Sequence, residues 1–362
     1  MIVFGCLMKL MFVYWAMEDQ GSGLTIQGYT EAARTLGHEV SVYGRWIPGK
    51  VNPVIPLNYS LDIESADAVV FIFEWTTQLK PGDQFDMARL VSKVPRNRRV
   101  IIDGDGNYND AIHAANDYNH PDAAASRRWI DSCDSVSDKI CQPTLHPLRP
   151  NVMPFLFYAY NPSWEQPFDA ARHEFDMMYV GHSKFRWHPM MRLLKGVEAI
   201  RQQLGRIGLV GYGWDSPPHW ANSMKLEQAY FSDADRLQRL RVETLPPVRF
   251  ECVIDWMSKA RLNPVMLRPL FRHLRLVTPR LFETVAANTI PLFVLEPMHA
   301  REIYGEQALA LVLPEEHPQE KILDIIHHPE RYRDVVSGIR QHLVENHSHS
   351  ARFRRLTEII QS

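Results

Sequence analysis

One alternation, run through twice, constrains this chain more than any other feature. In the first round, the apolar runs Leu10–Trp15, Glu39–Tyr43, Asp67–Phe73 and Val100–Ile102 are separated by helical spacing over Leu24–Leu36 and Gln84–Val94. The second round opens with the run Phe175–Val180, the helical Pro189–Leu204 and the run Ile207–Val210. It continues with Ala260–Leu262, Ile290–Leu295 and the short run Leu309–Leu313. Continuous apolar strands that alternate with helices predict a parallel sheet covered on both faces. Helical stretches Gln319–Ile326, Glu330–Glu345 and Ser350–Ile360 close the chain. Between the rounds lie Pro143, Pro147, Pro150 and Pro154, then Tyr160-Asn161-Pro162-Ser163-Trp164-Glu165-Gln166-Pro167, which reads as a linker. The expectation is an α/β protein of two tandem Rossmann-like domains facing across a cleft. Residues 1–165 form the first, 166–345 the second, and 346–362 a closing helix that packs back on the first. A length of 362 residues suits two domains of ordinary size.

Composition narrows the function. The chain is 45% hydrophobic and 23% charged, as expected of a globular protein with a real core. Its formal net charge of -2 argues against a general nucleic-acid binder and leaves room for a local basic groove. Cys6, Cys133, Cys141 and Cys252 show no paired or zinc-like spacing and read as reduced thiols in a cytoplasmic protein. Ile2 to Met17 is apolar but broken by Lys9. It is too short for a membrane span and lacks a signal-peptide cleavage site, so Lys9–Trp15 is read as a first strand and Met8 as an alternative start.

The stretch Thr278-Pro279-Arg280-Leu281-Phe282-Glu283 carries the most chemistry. Thr278 can cap a helix whose first turn begins with Pro279. The amides and dipole of such a helix end suit a phosphate. Arg280 and Glu283, three apart, share one face. An arginine can hold phosphate oxygens, and a carboxylate can accept hydrogen bonds from a ribose diol. A solvated surface pair is the plainer alternative.

Glycines mark other strand ends. Gly21-Ser22-Gly23 follows the first strand, where doubly wound sheets admit ligands. Its spacing departs from the dinucleotide fingerprint because Ile26 stands where the third glycine belongs. Gly181-His182-Ser183-Lys184-Phe185-Arg186 and Gly211-Tyr212-Gly213-Trp214-Asp215 end two strands of the second half. There Lys184 and Arg186 could meet phosphate, and Trp214 could wall a base or sugar pocket. Asp103-Gly104-Asp105 admits two readings: an oxygen-ligand pair for Mn²⁺, or cleft residues that touch the transferred sugar or acceptor. The second is preferred, with Glu74 a similar candidate. His327-His328, His347 and His349 lack companion ligands and read as helix-end histidines. Arg96, Arg98 and Arg99, like Arg352, Arg354 and Arg355, read as solvated faces.

Together these residues resemble the GT-B glycosyltransferases, in particular the CgeB-like (spore maturation) group and more distantly family 4. The resemblance rests on Tyr29–Val40 with its Gly37-His38-Glu39-Val40, Val152–Ala159, Asp176–Gly181, Leu209–Asp215, Arg280–Glu283, and His328–Arg331 through Arg352. It implies a metal-independent, retaining transferase without a cofactor, using a UDP- or GDP-sugar as donor substrate. By the same resemblance Glu283 binds the ribose, and the amides near Thr278 with Arg280 or Arg268 hold the diphosphate. Asp103 falls where many relatives carry a histidine near the reacting sugar. If the reaction inverts, Asp103, Asp105 or Glu74 must take the acceptor proton. The acceptor stays open among small molecules, glycans, lipids, proteins and modified nucleic acid. A metal-dependent nucleotide-sugar enzyme using Asp103 and Asp105, or a non-catalytic nucleotide-sugar or glycan-binding scaffold, are the alternatives.

Overall fold

The computed structural model describes residues 7–13, 22–44, 57–73 and 87–362. In the first half the strands are β1 (Lys9–Val13), β2 (Glu39–Tyr43), β3 (Tyr59–Ser60), β4 (Ala68–Phe73) and β5 (Arg99–Asp103). A short pair follows, β6 (His113–Ala114) and β7 (Asp117–Tyr118), and then β8 (Lys139–Gln142) and β9 (Val152–Pro154). All but β6 and β7 join one sheet, in the order β3-β2-β1-β4-β5-β8-β9. Every pairing in it is parallel. The Ala-Val-Val-Phe-Ile-Phe run of β4 is buried at every position, as a central strand covered on both faces must be. β6 and β7 form a separate antiparallel hairpin.

The second half repeats the plan. Strands β10 (Phe175–Val180), β11 (Ile207–Val210), β12 (Val242–Leu245), β13 (Ala260–Met266) and β14 (Ile290–Val294) lie in the order β12-β11-β10-β13-β14. These pairings too are parallel. Loops after β5 and β8 touch loops of the second half. Val277 donates its amide to Pro143 O at 2.7 Å, and Asn116 Nδ2 reaches Gln228 O at 3.5 Å. The carboxyl edges of the two sheets therefore face each other, which places their loops where open α/β sheets bind ligands.

The chain then returns to its first half. Helix Pro329–His347 packs on helix Pro279–Ala286, and Ser348 bridges Tyr160. Helix His349–Gln361 lies against helix Ser22–Thr35. Only a glycine fits at Gly28, because a Cβ there would collide with the His349 ring. Beneath that contact Tyr29 donates its hydroxyl to Phe157 O at 2.8 Å, and the two rings stack.

Several elements differ from the pattern read in the sequence. Leu309–Leu313 is no strand: Glu306–Leu311 forms a 3-10 helix and Val312 alone bridges Phe293. Positive-φ Gly305, at +85°, ends the preceding helix and sets that tight turn. The strands β8, β9 and β12 and the helices Ala123–Val136 and Ala234–Arg239 escape the periodicity, being short or mostly polar. Tyr14, Trp15 and the first residues of the expected Gln84–Val94 helix lie outside the described residues.

Candidate functional site

The loop after β10 is built by its neighbours. Gly181 donates its amide to Val210 O at 2.7 Å, and Ser183 donates to Tyr212 O at 2.8 Å. Gly211 has φ +139°, and a Cβ there would lie 2.6 Å from the carbonyl of Gly181 and 2.8 Å from the amide of His182. Only glycine permits so close an approach of two backbones. Gly213, at φ +83°, is similarly hemmed in by Ser183 and Tyr230. Trp214 does not wall a pocket. It is wholly buried, sits edge-on to Tyr179, and donates Nε1–H to Gly181 O at 2.8 Å. The ring is a beam behind the glycine loop, because the turn aims it into the core.

Cations gather at this loop. His182 is exposed at the carboxyl edge of β10. The protein walls around it still strip much of its hydration, and Arg186, Lys184, Arg280 and Arg268 add positive charge. Desolvation first, then those four cations, hold the imidazole well below its ordinary range, so it is neutral at pH 7. Lys184 is also shifted down, by burial and then by Arg268, while Asp105 and Asp117 from the facing half oppose the shift. Phe185 adopts a left-handed backbone, φ +56°, held by the hydrogen bond that its backbone N–H donates to Ala229 O. A non-glycine residue held this way stores strain of order 1–3 kcal/mol and marks a loop whose shape is over-determined by its surroundings.

Helix Pro279–Ala286 supplies the other wall. It follows β13, so its amino end lies at the same carboxyl edge. Thr278 stands at the capping position but its side chain makes no capping bond, contrary to the expectation from Thr-Pro. Arg280 Nη1 lies 3.2 Å from Glu283 Oε2, with only 3% of the Glu283 side chain exposed. Neither atom has a hydrogen-bond partner among the described residues. Burial raises the pKa of Glu283 and Arg280 lowers it, the first effect being larger. A buried carboxylate oxygen without a donor is a group that demands an explanation.

Arg268 also stands at this loop, yet its guanidinium grips the carboxylate of Asp117 rather than open space. Nε and Nη2 reach the two Asp117 oxygens, each at 2.8 Å. The hairpin of β6 and β7 therefore occupies the fork of Arg268, which leaves its charge and not a bidentate grip to act on a phosphate.

The first half contributes the loop after β5. Asp103 has no exposed surface, and it accepts hydrogen bonds from Asn107 N at 3.0 Å, Tyr108 N at 2.7 Å and Gln142 Nε2 at 2.8 Å. Both oxygens are committed, so Asp103 shapes the loop instead of touching a substrate, which corrects its reading as a catalytic or metal-binding residue. Burial nonetheless pushes its pKa up to about 6, against those three bonds. Asp105, half-buried, lies near enough to Lys184 to act on its charge. Ser22 and Gly23 open their helix at the end of β1 and are buried. Gly21 and Glu74 lie outside the described residues. Among the described residues no group of three or more His, Cys, Asp or Glu side chains could hold a metal, and no helix is long and apolar enough to cross a membrane.

The sequence held no clear signal for the Asp117 hairpin, whose turn passes through Ala115 at φ +53° and Asn116. It also hid a cavity of about 540 Å³ beyond Gly211, lined by Tyr212, Asp215, His219 and Pro246 among others.

No protein-family model matches the sequence, and a search of the curated proteins finds no match. Solved structures do match in fold. T4 phage BGT in complex with its UDP-glucose substrate superposes with a TM-score of 0.59 at 10% identity, over 98% of this chain and 100% of that one. An alpha-glucosyltransferase in complex with UDP and a 13-mer DNA containing a central A:G mismatch reaches 0.65 at 12% identity, over 98% and 100%. The same type of enzyme with UDP and a 13-mer DNA containing a HMU base reaches 0.64 at 13%, over 98% and 99%. The likeness at these identities is one of fold: two facing Rossmann-like domains, the GT-B arrangement.

Proposed function

We propose that this chain is a glycosyltransferase that moves a sugar from a nucleotide-diphosphate sugar to an acceptor hydroxyl. One observation carries the reading. A buried carboxylate oxygen without a hydrogen-bond donor, Oε2 of Glu283, sits beside Arg280, and Arg280 belongs to a set of four cations around His182. A ribose diol satisfies the first, and a diphosphate the second. Glu283 receives the ribose hydroxyls. Arg280, Lys184 and Arg186 face the diphosphate with the amide end at Thr278, and neutral His182 offers an N–H. The C1–O bond to phosphate breaks, a C1–O bond to the acceptor forms, and the nucleoside diphosphate leaves with its charge met by these cations. The reaction is retaining and metal-independent, so the acceptor proton passes to the departing phosphate oxygen. Asp105 takes that proton only if the configuration inverts.

The fold neighbours that hold UDP, UDP-glucose and DNA support a UDP-sugar donor and, among the open acceptor classes, a hydroxyl on a modified DNA base. The CgeB-like grouping, a cytoplasmic site of action, and domain boundaries at 165/166 and 345/346 belong to the same proposal. A thermal-shift screen against UDP, GDP, ADP, CMP and dTDP, with and without Mn²⁺, tests it, since a ligand that binds the native state stabilises it by mass action. The expected result is a metal-independent shift with one diphosphate that Glu283→Ala abolishes. No shift with any of them would move the reading to a non-catalytic scaffold, and a shift only with Mn²⁺ would favour the metal-dependent alternative.

A further inference from the structure

Asp117 belongs to the first half of the chain, yet it holds one of the cations of the second. Its carboxylate is 1% exposed as a residue and its side chain not at all. Arg268 Nε and Nη2 meet its two oxygens at 2.8 Å each, and Leu270 N donates to Oδ2 at 3.0 Å. Arg268 Nη2 also approaches Tyr118 O at 3.5 Å. The guanidinium lies over the Phe185 ring at 4.7 Å and the Phe271 ring at 4.6 Å. Phe185 is itself the left-handed residue between Lys184 and Arg186. A planar fork held along one edge by a carboxylate and packed against two rings has little freedom left, which is what arginine offers over lysine at a bidentate site.

A buried pair like this contributes little net stability, because two charges lose their water. Its geometry has a different consequence. The hairpin of β6 and β7 belongs to the first half of the chain but packs on helix Pro269–His273 of the second, and Asp117 is where it holds Arg268. We propose that Asp117 is a positioning residue for the phosphate seat: it fixes the Arg268 guanidinium beside Lys184 and His182, and so makes the geometry of that seat depend on closure of the two halves. Asp117 touches no substrate. It acts through Arg268, and this inference rests on the reading of the cation cluster as a diphosphate site. Coupling of this kind gives the donor differential affinity for the closed form, which is what closure on a ligand requires.

The test uses the full-length protein and UDP, with uridine as the control that lacks phosphate. Asp117→Asn removes the bidentate acceptor, and Arg268→Lys keeps the charge without the fork. Both are expected to weaken UDP binding about 10-fold by calorimetry while leaving uridine affinity unchanged. Solution X-ray scattering without nucleotide is expected to show a larger radius of gyration for Asp117→Asn. The exchanged pair Asp117→Arg with Arg268→Asp should restore the compact form but not UDP affinity, because a carboxylate then faces the phosphates. Wild-type UDP affinity in folded Asp117→Asn would overturn the proposal, as would equal losses for UDP and uridine, which indicate a purely structural role. If the wild type binds no nucleoside diphosphate, the site reading fails instead, and the scattering comparison alone decides whether the pair clasps the halves.

Discussion

Arg280 Nη1 and Glu283 Oε2 face each other at 3.2 Å, one helical turn apart, and neither atom is in a hydrogen bond among the described residues. An exposed pair with this spacing would contribute a few tenths of a kcal/mol to its helix. Here the carboxylate is buried, and desolvation outweighs the pull of the arginine. The pair is poorly explained by stability and well explained by a ligand that completes it.

Glu283→Gln should therefore weaken nucleoside diphosphate binding while sparing the fold. A hydrogen bond to a charged acceptor contributes about 1.5–3 kcal/mol, or roughly 10- to 100-fold in affinity. Calorimetry with UDP and thermal melting of the free protein check the two halves of this statement. The melting temperature should hold steady or rise, since a poorly solvated carboxylate is removed.

Arg280→Ala should separate phosphate from nucleoside. The expected outcome is an approximately 10-fold loss of UDP affinity, of the order of one charge-assisted contact, with less loss for uridine. Raising the salt concentration should weaken UDP binding to the wild type more steeply than to the variant. Equal losses for both ligands would place the arginine away from the phosphates.

Asp103 gives the stability a pH dependence of known sign. Its folded-state pKa of about 6 exceeds its ordinary 3.8, so the native state binds the proton more tightly than the unfolded chain. Stability from this group is present below about pH 4 and is lost as pH rises towards about 6, by at most about 3 kcal/mol. Asp103→Asn should flatten that slope in denaturant titrations between pH 4 and 7. It should also destabilise the protein at pH 7 by about 1–3 kcal/mol, because an amide NH₂ would face donors now met by carboxylate oxygens.

Gly211→Ala should damage the site through the backbone. The added Cβ would press on the carbonyl of Gly181 and the amide of His182. A melting temperature lowered by a loss of about 1–3 kcal/mol, together with weaker UDP binding, is expected. Trp214→Phe, which removes the bond to Gly181 O, should act in the same direction and more mildly. A selective effect on binding without loss of stability would restore Trp214 as a pocket wall.

The sequence by itself determined what depends on short range. Alternating apolar runs gave β2, β10 and β11 to the residue, and the two rounds gave the repeated parallel sheet, because strand and helix periodicity are written in neighbouring residues. Spacing along one helix likewise put Arg280 and Glu283 on a common face. Tertiary structure alone decided what those residues meet. It buried Trp214 as a support, satisfied Asp103 within its own loop, and gave the fork of Arg268 to Asp117, 151 residues away. Whether a polar group serves a ligand or the protein depends on which partners the fold brings within about 3 Å, and no local pattern carries that distance.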